Sequence, residues 1–202
     1  MKLALALAAV LLVAACGSDS GTTATDPAGA ASPTAVPAAP GQVRTRAIAT
    51  VMETGSPELC LGAVAESWPP QCSGPPVDGW DWTRHEGTYQ KSDSTRWGQY
   101  VVTGTWDGTT LTYEDAVPGA AYDPMAEPSP TYPPPSVEHT RAELQDIADE
   151  VGRDLPGAQG ASVDGRRVLV DVVYDDGSLQ DQVDEQYGEG VVVVVPALVD
   201  SE

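Results

Sequence analysis

Phenylalanine is missing from this sequence, histidine occurs twice and cysteine three times, and ten lysines and arginines stand against 30 aspartates and glutamates. Each shortage excludes something. Without phenylalanine, aromatic packing falls to five tryptophans and seven tyrosines, and all the tryptophans lie between Trp68 and Trp106. With so few cations the chain is a poor match for nucleic acid, where lysine and arginine must displace counterions from phosphates. It is equally unsuited to lying flat on anionic lipid. Two imidazoles, neither beside a cysteine in sequence, leave little to build a zinc site from. Residues 3–13 are an unbroken apolar run of only 11 residues, against about 20 for a helix that spans a bilayer.

That short run has a different use. Met1-Lys2 supplies a positive start, the apolar stretch follows, and small Ala14 and Ala15 stand directly before Cys16. This is the layout of a secretory signal peptide. Val13-Ala14-Ala15-Cys16 resembles the lipobox of bacterial lipoproteins, which implies a diacylglycerol on the Cys16 sulfur, palmitate-type acyl chains and cleavage before the cysteine. Residues 1–15 are then an address and no part of the fold. Their removal leaves nine basic residues against 30 acidic ones, a net charge of −21. Two or more acyl chains anchor stably where one is marginal. The expected location is therefore the outer face of the cytoplasmic membrane, extracytoplasmic and lipid-anchored.

Composition divides the remainder. Residues 16–42 are dominated by Gly, Ser, Thr, Ala and Pro. Such a stretch cannot bury enough surface to offset its ordering entropy and reads as a tether. Residues 117–136 hold seven prolines and read as a semi-extended linker. Two small folded segments follow from these breaks, 43–116 and 137–202, an α+β chain of two small domains.

The first segment reads as all-β. Residues 44–53 are one β-compatible run, and 99–105 are a stronger one, rich in β-branched and aromatic residues. The latter meets 109–113 through Trp106-Asp107-Gly108. Asp-Gly between two β-prone runs predicts a hairpin with a type I′ turn. A β meander or small barrel is expected, and an oligonucleotide/oligosaccharide-binding-like (OB-like) barrel fits the element count. Cys60 and Cys72, on the oxidising side of the membrane, are an even pair once Cys16 is acylated, and a disulfide is the natural expectation.

The second segment reads α-β-β-α-β. Thr140-Arg141-Ala142-Glu143 is a capping box before Leu144, Ile147, Ala148 and Val151 at helical spacing. A strand at 160–163 turns at Asp164-Gly165 into 166–174, Asp175 to Ser178 open a second helix, and residues 191–195 are five consecutive valines. A right-handed β-α-β crossover makes that last strand parallel to 166–174. The pattern resembles a ferredoxin-like sandwich lacking its first strand, both helices on one face.

Chemistry is scarce. His85, in Asp81-Trp82-Thr83-Arg84-His85-Glu86, has no G-x-S-x-G or S-x-x-K partner motif and reads as a loop residue. His139 reads as a solvated residue ahead of the second segment's first helix. Asp175-Asp176-Gly177-Ser178 fails the EF-hand alternation and suits helix capping instead. No cofactor or metal is expected. Trp68, Trp80, Asp81, Trp82 and Trp97 are the candidate ligand-binding residues, because indole faces stack on sugar CH groups while a carboxylate takes hydroxyls; core packing is their competing role.

Residues 57–62 (PELCLG), 68–72 (WPPQC), 79–82 (GWDW) and 96–105 (RWGQYVVTGT), with the region 179–195, resemble a group of actinobacterial secreted or lipid-anchored proteins of unknown function. The resemblance supports the compartment and implies no reaction. The expectation is thus a non-catalytic protein held to the membrane by its lipid anchor. Its tryptophan-rich segment, or the edge of its C-terminal sheet, would bind an envelope protein or a glycan. One alternative is a cell-wall or glycan hydrolase using paired acids such as Asp78, Asp81 or Glu86. Another is a structural spacer or folding helper.

Overall fold

The longest strand organises the molecule. In the computed structural model, which describes residues 33–123 and 130–201, β6 (Thr95–Trp106) is a 12-residue strand. Four other strands lie against it. On one side it pairs antiparallel with β2 (Ala49–Glu53) and further along with β1 (Gln42–Thr45). On the other it pairs with β5 (Gln90–Ser92) and then β7 (Leu111–Pro118). β3 (Pro57–Cys60) extends the sheet beyond β2, and the short β4 (Val77–Asp78) runs parallel to β7. With β11 (Leu198–Asp200) beside β1, these make an eight-stranded sheet curled as a half-barrel.

The single run expected at 44–53 is two strands. Thr45 explains the break: its hydroxyl accepts from the Val102 amide at 3.1 Å, taking the place of a backbone acceptor where β1 leaves off, and the chain bends before β2. One of the two hairpins of β6 also departs from expectation. The turn into β7 is a four-residue loop, 107–110, in which the Asp107 carboxylate accepts from the amides of Thr109 and Thr110 at 2.8 and 2.7 Å. Asp107 does not have positive φ, so the turn is not type I′. The tight two-residue turn lies at the other end of β6, at Asp93-Ser94, where Asp93 is the only described non-glycine residue with positive φ, 51°. Gly104 sits at the bulge between β6 and β7, and a Cβ there would run into the Thr112 carbonyl.

The core inside the curl is built from Trp80, Trp82, Tyr100, Trp106 and Tyr113 with Val, Leu and one more tyrosine. The segment ahead of β1 is part of it. Trp106 donates its indole N–H to the Pro37 carbonyl at 2.9 Å, and Val36 and Ala39 pack on the same cluster. The expected tether over 16–42 therefore gives way to packed chain within residues 36–42, because the indole N–H of a buried tryptophan needs an acceptor and Pro37 supplies it.

The second sheet is three-stranded, in the order β10 (Val192–Pro196), β9 (Arg167–Val172), β8 (Ala158–Asp164). β10 is parallel to β9 and β8 antiparallel, as a β-α-β crossover requires. α1 (Arg141–Asp154) begins at a complete capping box formed by Thr140 and Glu143. Leu144, Ile147, Ala148 and Val151 of α1 join Leu179 and Val183 of α2 (Ser178–Tyr187) over Val168, Val170, Val172, Val192 and Val194. Both helices thus cover one face.

Tyr174, Val173 and Leu198 belong instead to the half-barrel core, and the Tyr174 hydroxyl donates to Asp200 at 2.9 Å. β11 pairs with β1, so the chain end closes the first sheet. The described residues from 33 onward cluster as one compact unit. The proline-rich stretch is strand up to Pro118. On its far side Arg167 donates to the Pro133 carbonyl at 3.0 Å and the Ser136 amide to Glu189 at 2.8 Å. Cys16 and residues 1–15, expected from the sequence to be a signal peptide, lie outside the described residues.

An apolar strand at a sheet edge invites pairing with other chains. β10 is protected: the Gln180 side chain donates to the Val192 carbonyl at 3.0 Å and accepts from the Val194 amide at 2.9 Å. Pro196 has no amide, and its carbonyl is taken by Arg46 at 2.8 Å. A side-chain amide here occupies the groups that an incoming strand would use.

Candidate functional site

The loop from Cys60 to Cys72 is a long excursion from the half-barrel whose ends are fastened to each other. The two cysteines form a disulfide with Cα atoms 5.9 Å apart. Cys60, Met52 and Trp97 form a small core of their own, with Cys72 packed against it and its Sγ 3.8 Å from the Met52 sulfur. Within the loop the Ala65 amide donates to the Gln71 carbonyl at 2.8 Å, and the Ser67 hydroxyl donates to the Pro69 carbonyl at 2.7 Å. The return limb is stitched to β3 by the Leu59 amide, which donates to the Pro75 carbonyl at 2.9 Å. Gly74 passes so close to the Leu59 carbonyl that no side chain fits there.

This scaffold holds Trp68 out in solvent. Its side chain is 70% exposed, the largest exposed apolar group among the described residues. The ring stands edge-on to Trp97, centroids 5.0 Å apart and planes at 86°. Exposed indole on a disulfide-closed loop is not what core packing produces, since a tryptophan fully buried elsewhere in this fold would gain far more.

Beneath Trp68 runs an open groove of about 630 Å³. One wall is the loop, residues 64–68 with Pro70. The other is Tyr89 and Gln90 of the β5 hairpin, and Trp97 and Gln99 of β6 run along it with Thr50 of β2. Gln90 and Gln99 are exposed and make no side-chain hydrogen bond to other described residues. Glu66 is the only charged side chain in the lining.

The five candidate residues are not brought together. Trp68 and Trp97 meet at the groove; Trp80 and Trp82 are in the half-barrel core, 9% and 3% exposed. Trp82 donates its indole N–H to Glu53, which also pairs with Arg96 at 2.6 Å. Asp81 accepts from the Thr83 amide at 2.9 Å and the Thr83 hydroxyl at 2.8 Å, capping the single turn Trp82–His85. Those bonds, the amide first, hold its carboxyl below the ordinary range. Asp81 is thus committed to its own backbone. Tyr89, Gln90, Gln99 and Thr50 were not among the sequence candidates, because only the pairing of β2 and β5 with β6 assembles them.

His85 is not a loop residue in solvent. It is 6% exposed, stacked on Trp80 with centroids 4.2 Å apart, and its Nε2 has no hydrogen-bond partner. Tyr100 and Tyr113 crowd its other sides, and Arg84, Asp81 and Asp115 are the charges around it. Burial, and secondarily Arg84, pushes its pKa below 6.5. An unfolded chain takes up that proton at the ordinary value, so stability is intact above about pH 6.5 and declines as pH falls toward the depressed native value. Urea midpoints at pH 7.5 and 5.0 should therefore differ, and His85→Phe should flatten the difference. An unchanged slope in that variant would remove His85 as the cause. Asp81, Asp107 and Asp176, all depressed from 3.8, act in a separate, more acid window.

Among the described residues no cluster of His, Cys, Asp and Glu is arranged to hold a metal ion, and no helix is long and apolar enough to cross a membrane. No family model matches the chain, and neither a curated protein nor a solved structure matches it.

Proposed function

We propose that this chain is an extracytoplasmic lipoprotein, anchored through acylated Cys16, whose groove under the Cys60–Cys72 loop binds an external ligand without chemical conversion. The observation that carries the binding half is Trp68: an indole left 70% exposed at the rim of a groove, on a loop cross-linked at both ends. Exposed aromatics that are held rigid give large contact area at small entropic cost. The anchoring half rests on the sequence around Cys16.

Several features favour binding over hydrolysis. Two-carboxylate chemistry needs a facing pair, and the groove lining carries Glu66 alone. Asp81 is occupied as a cap. Docking by strand addition at the C-terminal sheet is disfavoured at β10, where Gln180 and Pro196 leave few free groups. In this reading the half-barrel is the displayed, ligand-binding part. The smaller sheet, which we read as a ferredoxin-like sandwich short of one strand, belongs to the same compact unit, and its segment contributes Tyr174, Leu198 and β11 to the half-barrel.

The test has two arms. Metabolic labelling with an alkyne fatty acid should tag the wild-type protein, and Cys16→Ala should abolish the tag and release the protein from membranes. Co-sedimentation with delipidated envelope material should be saturable and fall at least tenfold in Trp68→Ala. An untagged wild type rejects the anchor; sedimentation indifferent to Trp68 rejects the groove.

A further inference from the structure

The composition of the groove says more than that something binds. Trp68 and Tyr89 supply aromatic surface over the mostly buried Trp97, and apart from Glu66 the polar side chains beside them are amides and hydroxyls: Gln90, Gln99, Thr50, Ser67 and Thr88. An amide or a hydroxyl both donates and accepts. Such groups match a ligand whose own polar groups do both, at close spacing, around apolar CH faces. A pyranose has that character: axial hydrogens make a face that lies on an indole, and its ring of hydroxyls donates and accepts around the edge.

Charge narrows the choice further. The lining holds no lysine or arginine to pair with an acid group, and its one charge, Glu66, is negative. The chain as a whole carries −20. A sulfated, phosphorylated or uronic-acid glycan would meet net repulsion and no cation to offset it. An extended peptide would bring main-chain amides in need of a strand edge; the edge of β3 is already covered by Pro75 and Pro76, and the short β5, paired with β6 alone, offers only three residues. The groove volume, about 630 Å³, lies within the roughly 300–1,000 Å³ of small-ligand sites, a size suited to a di- or trisaccharide segment of a longer chain.

We infer that the groove between the Cys60–Cys72 loop and β5–β6 binds a neutral oligosaccharide, with Trp68 stacking on a sugar face and Gln90 and Gln99 taking its hydroxyls. This rests on the groove being a ligand site, as proposed above. Trp68 is the group on which affinity depends, because stacking on an exposed indole is what an alanine removes outright. The two glutamines set orientation and discriminate among sugars.

The experiment is titration of the purified soluble chain, residues 17–202, followed by tryptophan emission and calorimetry. The probes are neutral linear tetrasaccharides of glucose, mannose and N-acetylglucosamine, a tetrasaccharide of glucuronic acid, and a proline-rich decapeptide. At least one neutral sugar is expected to bind saturably. Trp68→Ala should weaken it tenfold or more, and Gln90→Ala/Gln99→Ala several-fold. Thermal midpoints of both variants should stay near that of the wild type, since these side chains are exposed. Preference for the acidic tetrasaccharide overturns the inference. So does Trp68-dependent binding of the peptide alone, or of no probe at all. In those last cases the groove reading stands if envelope sedimentation still depends on Trp68, and falls with the inference if it does not.

Discussion

Replacing Trp80 with alanine is expected to cost about 3–5 kcal/mol of unfolding free energy, the usual range for removing a buried large aromatic. Among the described residues no other side chain touches so many aromatic partners. Trp80 stacks on His85 at 4.2 Å and meets Trp82, Tyr100 and Tyr113 edge-on at 5.4, 5.0 and 5.0 Å. Each edge-to-face pair adds roughly 0.5–1.5 kcal/mol beyond the area it buries. One term runs the other way. The Trp80 indole N–H is buried without a partner, and relief of that desolvation, about 1–3 kcal/mol, keeps the loss from the top of any simple sum. Trp80→Phe separates the two effects, keeping a ring while deleting the orphan donor, and should cost well under half as much as the alanine. Urea denaturation of the two variants beside Trp68→Ala checks this. A Trp80→Ala loss no larger than that of exposed Trp68→Ala would mean the aromatic cluster is not the core of the half-barrel.

The contrast between Trp80 and Trp68 is also where sequence reading met its limit. Both occur in short polar stretches rich in Pro, Gly and Asp, with no period of two to assign a face. What separates them is non-local. Trp80 is enclosed because Tyr100 and Tyr113 arrive from strands 20 and more residues away, and Trp68 is exposed because a cross-link holds its loop out. Features decided within a few residues were legible: the Thr140–Glu143 capping box, the α1 stripe of Leu144, Ile147, Ala148 and Val151, and the helix start around Asp175, whose carboxylate accepts from the Leu179 amide. The parallel pairing of β10 with β9 was legible too, since it follows from handedness and the valine run. Turn chemistry was half legible. Asp107-Gly108 does mark a hairpin, yet the Asp107 side chain captures two amides and favours a longer loop, while the tight turn fell to Asp93-Ser94, which has no glycine to announce it. β11 is three residues whose partner, β1, is about 155 positions earlier. No local pattern could place it.

Removing the cross-link tests whether the groove needs it. Cys60→Ala/Cys72→Ala opens a loop with a sequence separation of 12, for which the chain-entropy model gives about 3 kcal/mol. For a chain of this size that corresponds to a fall of roughly 6–12 °C in Tm. The sum must come from the unfolded state, because the native contacts of the loop are few. One backbone bond joins Ala65 to Gln71, Ser67 ties to Pro69, and most residues between the cysteines are exposed. The loop base has other fastenings, since Leu59 bonds to Pro75 and Gly74 lies against the Leu59 carbonyl. The half-barrel should therefore still fold without the disulfide, with its loop end loosened. Two readouts follow. Global stability should drop by the amount above, and a glutamate-directed protease should cut the Glu66–Ser67 bond much faster than in the wild type under native conditions. Affinity for the neutral sugar inferred above should then fall as well, as a freed Trp68 must be reordered against Trp97 each time a ligand stacks on it. If the double variant binds as tightly as the wild type, Trp68 is positioned by Trp97 and the Ala65–Gln71 bridge alone, and the covalent bond serves folding only.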